Sequence, residues 1–221
     1  MKKKVLVFDL DDTLYKEVDF MKSAYREISL WLERSYEIKG VYDYMLHCYE
    51  QRLNVFMCVN DKYGLDVSLE NYLHKYRTHF PALSLSQTVE SFLKAATEIG
   101  SIIGIITDGR GVTQSNKIKA LGLNHYVSLE NCIISEIFGY SKPSKEGFLY
   151  FQNKYMNADF YYIGDNVVKD FIAPNQLGWT TICLLDNGQN IHKQMPVENE
   201  MKPQYEIENF DELYKFLKKD L

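Results

Sequence analysis

The sequence predicts an α/β protein, a three-layer sandwich with a mainly parallel sheet, into which an all-helical segment is inserted near the N-terminus. Three observations lead to this prediction. Residues 3–8 form a short apolar run of strand length, and an acidic stretch follows it directly. Residues 16–81 show only helical periodicity, and beyond residue 81 apolar runs of strand length alternate with helical segments. Such alternation is typical of a parallel sheet with helices on both faces.

The elements of the α/β part follow from apolar runs and from the glycines and prolines that bound them. Apolar runs predict strands over residues 3–8, 102–106, 132–134, 160–163 and 180–185. Helical spacing predicts helices over residues 86–99, 113–121, 145–155, 168–177 and 211–219, with Gly100 and Gly122 ending the first two. Residues 186–204 are polar and contain Gly188, Pro196 and Pro203, so we expect a surface loop there.

The inserted segment is expected to be a small helical domain. Apolar residues recur at three- and four-residue spacing over residues 16–36, which predicts an amphipathic helix. A second helix is predicted over residues 41–63, closed by Gly64, and a third begins after the N-cap Ser68 and ends before Pro81. We therefore assign residues 1–15 and 82–221 to an α/β core and residues 16–81 to a helical domain inserted into it.

Composition argues against several functional classes. The 221 residues carry a net charge of −5, which gives no basic surface for nucleic acid. No stretch approaches the ~18 apolar residues of a membrane span, and no signal peptide is recognised. The four cysteines lack a C-x-x-C spacing and are expected to be reduced thiols. We therefore expect a cytoplasmic protein with no nucleic-acid or membrane partner; the sequence sets no oligomeric state.

Four polar clusters follow predicted strands and carry the candidate chemistry. Three of them come directly after a strand, and the cluster that contains the lysine lies several residues beyond the strand over 132–134. Because the carboxyl ends of parallel strands share one edge of the sheet, we expect the clusters to meet there. They are Asp9-Leu10-Asp11-Asp12-Thr13, Thr107-Asp108-Gly109, Ser141-Lys142-Pro143 and the stretch from Gly164 to Asp170.

The residue types at this edge suit a divalent cation together with an anion. Carboxylate oxygens are the ligands that Mg²⁺ prefers, and the first cluster alone supplies three carboxylates. The hydroxyl of Thr107, the backbone N–H groups of Asp108 and Gly109, and the ammonium group of Lys142 suit phosphoryl oxygens. The sequence contains no G-x-x-x-x-G-K-[ST] motif, so no P-loop for a nucleoside triphosphate is predicted.

Taken in order, the motifs D-x-D-x-T, T-[DN]-G, K-P and G-D-x-x-x-x-D resemble those of the haloacid dehalogenase superfamily, and the resemblance covers nearly the whole chain. It implies a Rossmann-like core, and the helical insertion resembles the first cap class of that family. It further implies that Asp9 is the nucleophile, that Asp11 is the general acid and base, and that Thr107 and Lys142 bind the phosphoryl group. Asp9, the backbone carbonyl of Asp11, and Asp165 would form a Mg²⁺ site.

Other residues of the clusters are expected in supporting places. Thr13 is expected to hold the acidic loop, Asn166 to flank the site, and Asp12 to be mostly solvated. Asp170 is expected either to support the metal ligands or to be one of them. Asp108 is expected either to lie beside the phosphoryl group or to cap the helix that follows it.

The leading functional hypothesis is a Mg²⁺-dependent phosphohydrolase. It would cleave phosphate monoesters of a small phosphorylated metabolite, a sugar phosphate or a nucleoside monophosphate, through an aspartyl-phosphate intermediate. A phosphomutase on the same scaffold is an open alternative, since it keeps both aspartates. Asp11 argues against a dehalogenase, which does not need the second acid. A catalytically silent binding or regulatory protein is the alternative from another class, and the complete set of polar residues disfavours it.

Overall fold

The computed structural model describes residues 2–218, and the chain forms two compact units. One unit consists of Met1–Glu17 and Ser84–Leu221, and the other of Val18–Leu83. The boundaries predicted from the sequence lie after residues 15 and 81. Residue 1, where the predicted core begins, lies outside the described residues. The same holds for residues 219–221, which include the end of the predicted core and the last residue of the predicted helix over 211–219. Among residues 2–218, no helix combines the length and the apolarity that crossing a membrane requires.

The α/β unit is built on a six-stranded sheet in which every pair of neighbouring strands is parallel, as far as the described residues go. The strands are β1 (Lys3–Phe8), β2 (Ile102–Thr107), β3 (Cys132–Ile134), β4 (Ala158–Gly164), β5 (Thr180–Leu184) and β6 (Tyr205–Ile207). The predicted α/β class with a parallel sheet is confirmed. β6 was not predicted, because two of its three residues are exposed and it lacks an apolar run.

The strand order brings three of the four polar clusters next to one another. The order is β3-β2-β1-β4-β5-β6, so the chain runs outward from β1 on one side and then from β4 on the other. β1 pairs with both β2 and β4, with Val5 opposite Ile102 and Phe160. Ligands bind at such a switch point, outside the carboxyl ends of the strands. Asp9, Thr107 and Asp165 stand at the carboxyl ends of these three central strands.

Helices cover both faces of the sheet. They are α5 (Gln87–Glu98), α6 (Gly111–Ala120), α7 (Ser135–Phe138), α8 (Glu146–Lys154), α9 (Ile172–Gln176) and α10 (Phe210–Lys218). Val7 of β1 packs in one core cluster with Phe148 of α8. The next residue, Phe8, points to the other face, where its ring centroid lies 6.0 Å from Phe92 of α5 and 6.2 Å from Phe210 of α10. This alternation explains why the central strands are apolar throughout.

The second unit is helical and has a core of its own. Its helices are α1 (Glu17–Tyr36, whose first residue belongs to the α/β unit), α2 (Val41–Glu50), α3 (Val55–Tyr63) and α4 (Leu69–Thr78). The core includes Ile28, Leu32, Met45, Val59 and Tyr72. Ser68 caps α4 as predicted, its Oγ accepting from the Asn71 N–H at 3.2 Å.

The prediction of a single helix over residues 41–63 is wrong, because residues 51–54 interrupt it and separate α2 from α3. Arg52 takes a left-handed conformation with φ 57°, which ends the first helix. Asn54 then caps the second helix by accepting from the Met57 N–H at 3.2 Å.

Three other expectations for the α/β unit need correction. α6 begins at Gly111 and not at residue 113, and α7 was not predicted at all. The helix expected over residues 168–177 is limited to Ile172–Gln176, since residues 165–171 form the turn that carries Asp170. The segment 186–204 is more than a surface loop: Asn190 is only 9% exposed, and Asn199–Met201 form a 3-10 turn.

Candidate active site

Asp9 directly follows β1, and its side chain meets the buried ammonium group of Lys142. Lys142 Nζ lies 2.6 Å from Asp9 Oδ1 and 2.7 Å from Asp170 Oδ1, and it donates to the Tyr162 hydroxyl at 3.0 Å. Burial alone would lower the pKa of Lys142, but the carboxylates of Asp170 and Asp9 outweigh it and raise the pKa well above its usual value. Lys142 is therefore a fixed cation against the predicted nucleophile.

Three buried carboxylates lie together at the ends of β1 and β4. Asp9, Asp165 and Asp170 each offer an oxygen within 4.8 Å of the others. Burial raises the pKa of Asp165 to about 8, and the carboxylates of Asp9 and Asp170 add to the effect. Burial also raises the pKa of Asp9, although Lys142 opposes it. The ammonium group of Lys142 therefore does not balance the negative charge of this cluster.

This cluster fits a divalent cation. Its donors are carboxylate oxygens, which suit Mg²⁺, and a cation would offset the repulsion among three buried carboxylates that share the ammonium group of Lys142. The two oxygens of Asp170 already have protein partners, because Lys142 holds Oδ1 and the Asn166 N–H donates to Oδ2 at 2.9 Å. The protein thus holds the Asp170 carboxylate on both of its oxygens.

Asp11 lies outside this carboxylate cluster and has a different set of partners. Lys117 Nζ donates to its Oδ1 at 2.7 Å, and Gln114 Nε2 donates to its Oδ2 at 2.8 Å. The Tyr15 hydroxyl also donates to Oδ1. Gln114 and Lys117 belong to α6, and neither was singled out from the sequence. Both are nearly inaccessible to solvent, at 2% and 3% exposure.

The T-D-G cluster is only partly arranged as expected. Thr107 is 1% exposed, and its Oγ1 accepts from Gln114 Nε2 at 2.6 Å. Asp108 does not cap the following helix; its carboxylate accepts from the backbone N–H of Lys142 at 3.0 Å and from Lys169 Nζ at 3.1 Å. The N–H of Gly109, expected to serve a phosphoryl oxygen, donates instead to Ser135 Oγ at 3.0 Å.

The end of the acidic loop is anchored inside the protein. Thr13 Oγ1 makes a long hydrogen bond of 3.4 Å to Asp165 Oδ1, in keeping with a supporting place. Asp12 was expected to be mostly solvated, and this is wrong, since it is only 2% exposed. Its two carboxylate oxygens accept from the backbone N–H groups of Glu17 and Ile191, each at 2.9 Å. Asp12 thus ties the loop to the segment after β5.

Sequence reasoning missed a second contribution from the segment after β5. Asn190 Nδ2 donates to Asp165 Oδ2 at 2.9 Å, while its Oδ1 accepts from Lys16 Nζ at 2.5 Å. Gln194 Nε2 donates to the backbone carbonyl of Asp165 at 2.8 Å. The polar, glycine- and proline-containing composition of residues 186–204 gave no signal for these contacts, which join positions far apart in the chain.

A cavity at this edge of the α/β unit brings most of the predicted residues together. It is lined by Asp9, Asp11, Asp12, Glu17, Thr107, Asp108, Asp165, Asn166, Lys169 and His192. Lys142 is buried behind Asp9, with 1% of its side chain exposed. Glu17, Lys169 and His192 were not predicted. An acidic pocket with the ammonium group of Lys169 at its wall, and that of Lys142 behind Asp9, can accept a cation and an anion side by side.

Comparisons with known proteins agree with this arrangement. The model of the family described as haloacid dehalogenase-like hydrolase matches residues 6–184. The glyceraldehyde 3-phosphate phosphatase of Methanocaldococcus jannaschii is 30% identical, in an alignment that covers 98% of this chain and 99% of the relative. The glyceraldehyde 3-phosphate phosphatase of Methanopyrus kandleri is 24% identical, with 95% of each chain covered.

A solved structure shows the same fold. YfnB of Bacillus subtilis, solved in a magnesium-bound form, aligns with a TM-score of 0.67 and 20% identity, covering 98% of this chain and 99% of that chain. The match of the family model and the two relatives named as phosphatases confirm the predicted enzyme class of a phosphoric monoester hydrolase. The chain belongs to the haloacid dehalogenase-like hydrolases and is a phosphatase of that family.

Proposed function

We propose that this phosphatase hydrolyses the monoester of a small phosphorylated metabolite in a Mg²⁺-dependent reaction, through a covalent phosphoryl group on Asp9. The observation that supports this most directly is the contact of 2.6 Å between Asp9 Oδ1 and Lys142 Nζ in an acidic cavity. A carboxylate is a weak nucleophile toward an anionic ester, and a fixed cation beside it lowers the repulsion between the two anions.

In the first step, an oxygen of Asp9 bonds to phosphorus while the bond from phosphorus to the leaving oxygen breaks. Lys142 holds Oδ1, so we assign the attack to Oδ2. Thr107 donates its hydroxyl hydrogen to a phosphoryl oxygen. Asp11 gives its proton to the leaving alkoxide.

In the second step, water replaces Asp9 on phosphorus. Asp11 is now a carboxylate and takes a proton from the water as it attacks, and the bond between phosphorus and Asp9 breaks to release inorganic phosphate. Three donors that hold the Asp11 carboxylate in place support this role: the Tyr15 hydroxyl, Gln114 Nε2 and Lys117 Nζ.

Asp9 and Asp165 would hold the metal by their side chains, and Asp11 by its backbone carbonyl, as the family resemblance implies. When bound, Mg²⁺ would neutralise charge on the phosphoryl oxygens and help to orient the ester. The negative charge that Lys142 leaves unbalanced in the carboxylate cluster supports this assignment, as does the bound magnesium of YfnB. Thr13 and Asn190 fix the Asp165 carboxylate from two sides.

For the substrate we propose a small sugar phosphate, with glyceraldehyde 3-phosphate as the first compound to assay. Both curated relatives carry that substrate in their names. This favours the sugar phosphates among the two classes expected from the sequence.

From the family resemblance we also propose that the helical unit, Val18–Leu83, selects the substrate as a cap. We further propose a cytoplasmic location, which the four unpaired cysteines support.

The test is a measurement of phosphate release from glyceraldehyde 3-phosphate, ribose 5-phosphate, phosphoglycolate, AMP and p-nitrophenyl phosphate, with Mg²⁺ or with EDTA. We expect turnover that requires the metal and is fastest, by kcat/KM, for a sugar phosphate. Folded protein that releases no phosphate from any of them would refute the proposal. Release of an isomeric sugar phosphate in place of inorganic phosphate would identify a mutase.

Asp9→Asn tests the nucleophile. The substitution keeps the shape of the side chain but removes the attacking charge, so we expect kcat to fall by at least about 10³-fold. The matched control is Asp159→Asn on β4, whose side chain is 48% exposed and should be neutral. Trapping of ³²P on wild-type protein, and not on Asp9→Asn, would complete the assignment; equal labelling of both proteins would contradict it.

A further inference from the structure

The carboxylate of Asp11 is held by two residues of one helix. Lys117 Nζ lies 2.7 Å from Oδ1 and Gln114 Nε2 lies 2.8 Å from Oδ2, so each oxygen has its own donor from α6. The two residues are three positions apart and therefore lie on the same face of the helix. Only 3% of the Lys117 side chain is exposed, against 19% for Asp11. The charge-assisted contact thus fixes the carboxylate from its buried side.

The T-D-G turn makes room for this arrangement. Gly109 has φ 147°, a conformation that side chains rarely adopt. A methyl group on Gly109 would lie 3.1 Å from Cγ and Cδ of Gln114, closer than an ordinary contact. The absence of a side chain at Gly109 therefore lets Gln114 pass beneath the turn and reach Asp11.

Gln114 also connects Asp11 to Thr107. Its amide nitrogen has two hydrogens, and the structure uses both, one toward Asp11 Oδ2 and one toward Thr107 Oγ1 at 2.6 Å. Because Thr107 Oγ1 accepts from Gln114, its own hydrogen is free to point elsewhere. One side chain thereby sets the direction of the proton-transfer group and of the hydroxyl that the proposed mechanism aims at the phosphoryl oxygen.

We propose that Lys117 and Gln114 are positioning residues, which hold the Asp11 carboxylate at the distance and angle that proton transfer requires. Lys117 acts on Asp11, whereas Gln114 acts on both Asp11 and Thr107. The inference rests on the proposed function, and it extends the proton-transfer site to a helix that carries none of the four motifs. General acid and base catalysis contributes about 10²–10⁴-fold when the group is well placed, and a misplaced carboxylate loses part of that factor.

The leaving group separates positioning from a purely structural role. An alkyl phosphate needs a proton on its leaving oxygen in the first step, whereas p-nitrophenolate leaves without one. Lys117→Met should therefore lower kcat for glyceraldehyde 3-phosphate by at least about 10-fold, with KM changed less than about threefold. With p-nitrophenyl phosphate the first step should persist and only the water step should slow. A burst of about one p-nitrophenolate per active site should then precede slow turnover.

Gln114→Met provides a second variant with a different expected signature. It removes the donors to both Asp11 and Thr107, so kcat should fall and KM should rise for both substrates. Lys119→Met is the matched control, because Lys119 lies on the same helix and is exposed. We expect it to behave as wild type in kcat, KM and melting temperature.

The outcomes distinguish the inference from the proposed function. Absence of Mg²⁺-dependent turnover by wild-type protein would refute the proposed function. If wild-type protein turns over and the kcat of Lys117→Met for glyceraldehyde 3-phosphate is within twofold of that of Lys119→Met, the positioning role is overturned and the proposed function stands. An equal loss of burst rate and steady-state rate would do the same, since a general distortion slows both steps. Loss of folding in both Lys117→Met and Gln114→Met would assign these contacts to stability and would also overturn it.

Discussion

Replacing Asp165 by asparagine should stabilise the metal-free protein while removing its response to magnesium. Asparagine has the shape of aspartate, and its Oδ1 can accept from Asn190 Nδ2 as the carboxylate does now at 2.9 Å. Its Nδ2 can donate to the hydroxyl oxygen of Thr13, which lies 3.4 Å from the present carboxylate oxygen. The substitution therefore keeps both contacts and removes one buried negative charge.

The magnitude follows from the pKa of Asp165, which burial, and then the carboxylates of Asp9 and Asp170, raise from 3.8 to about 8. At pH 7 the Asp165 carboxyl therefore keeps its proton in the folded protein. In the unfolded chain it loses this proton near pH 4, about three pH units lower. At about 1.4 kcal/mol per unit, this costs the wild type about 4 kcal/mol. Because neighbouring carboxylates share the proton, we expect Asp165→Asn to gain about 1–4 kcal/mol in the free energy of unfolding.

The sign of the effect fixes its pH dependence. The pKa of Asp165 is higher in the folded state than in the unfolded chain. The contribution of this carboxyl group to the free energy of unfolding is therefore complete below about pH 4 and is lost as pH rises toward about 8. The gain of Asp165→Asn over wild type should be near zero at about pH 4 and should grow across this window. Urea unfolding in EDTA, at several pH values, measures it. Added Mg²⁺ should stabilise wild type, by about 2.7 kcal/mol at 100 times Kd, and not the variant.

Asp159→Asn on β4, the strand that Asp165 directly follows, is the control, because its carboxylate is 48% exposed. It should change neither the stability nor its pH dependence. Two results would refute the reasoning for Asp165: a variant that is no more stable than wild type at pH 7 in EDTA, or a gain that is the same at pH 4 and pH 8. An equal response of variant and wild type to Mg²⁺ would remove Asp165 from the proposed metal ligands.

Two further substitutions test how the cluster is built. Lys142→Met leaves two buried carboxylates without their shared cation and should cost about 3–5 kcal/mol in urea unfolding, whereas Lys145→Met at an exposed position should cost little. Gly164→Ala places a methyl group 2.9 Å from Asp170 Cγ and should cost about 1–3 kcal/mol. Gly147→Ala, where the nearest atoms lie 3.5 Å away, should be neutral or stabilising in the same measurement.

The sheet was predictable because its central strands are apolar on both faces, so each is a continuous run between polar clusters. β1, β2 and β5 are found at nearly the predicted residues. β6 is different: it lies at the sheet edge, and only Ile207 of its three residues is buried. Edge strands of this kind depend on a pairing partner more than on their own sequence, and a single-sequence pattern does not find them.

The candidate site was predictable where its residues come directly after a strand. Asp9, Thr107 and Asp165 were placed by topology alone, since parallel strands bring their carboxyl ends together. Gln114, Lys117 and Asn190 were not found, because they reach the site by side-chain contacts across 103, 106 and 25 positions of the chain. A polar residue on an amphipathic helix is normally solvated, so nothing local marks Lys117 as buried.

The three carboxylates of the acidic loop show how such a cluster is tolerated in one strand-to-helix turn. Asp9 pairs with Lys142, Asp11 pairs with Lys117 and Gln114, and Asp12 accepts two backbone N–H groups. Each of the three carboxylates thus has its own partners, which oppose the repulsion between them. Asp165 lies one strand away, where burial, and then the carboxylates of Asp9 and Asp170, raise its pKa to about 8. The proposed Mg²⁺ would relieve the repulsion between the buried carboxylates of Asp9 and Asp165, while the proposed proton-transfer group Asp11 has partners of its own.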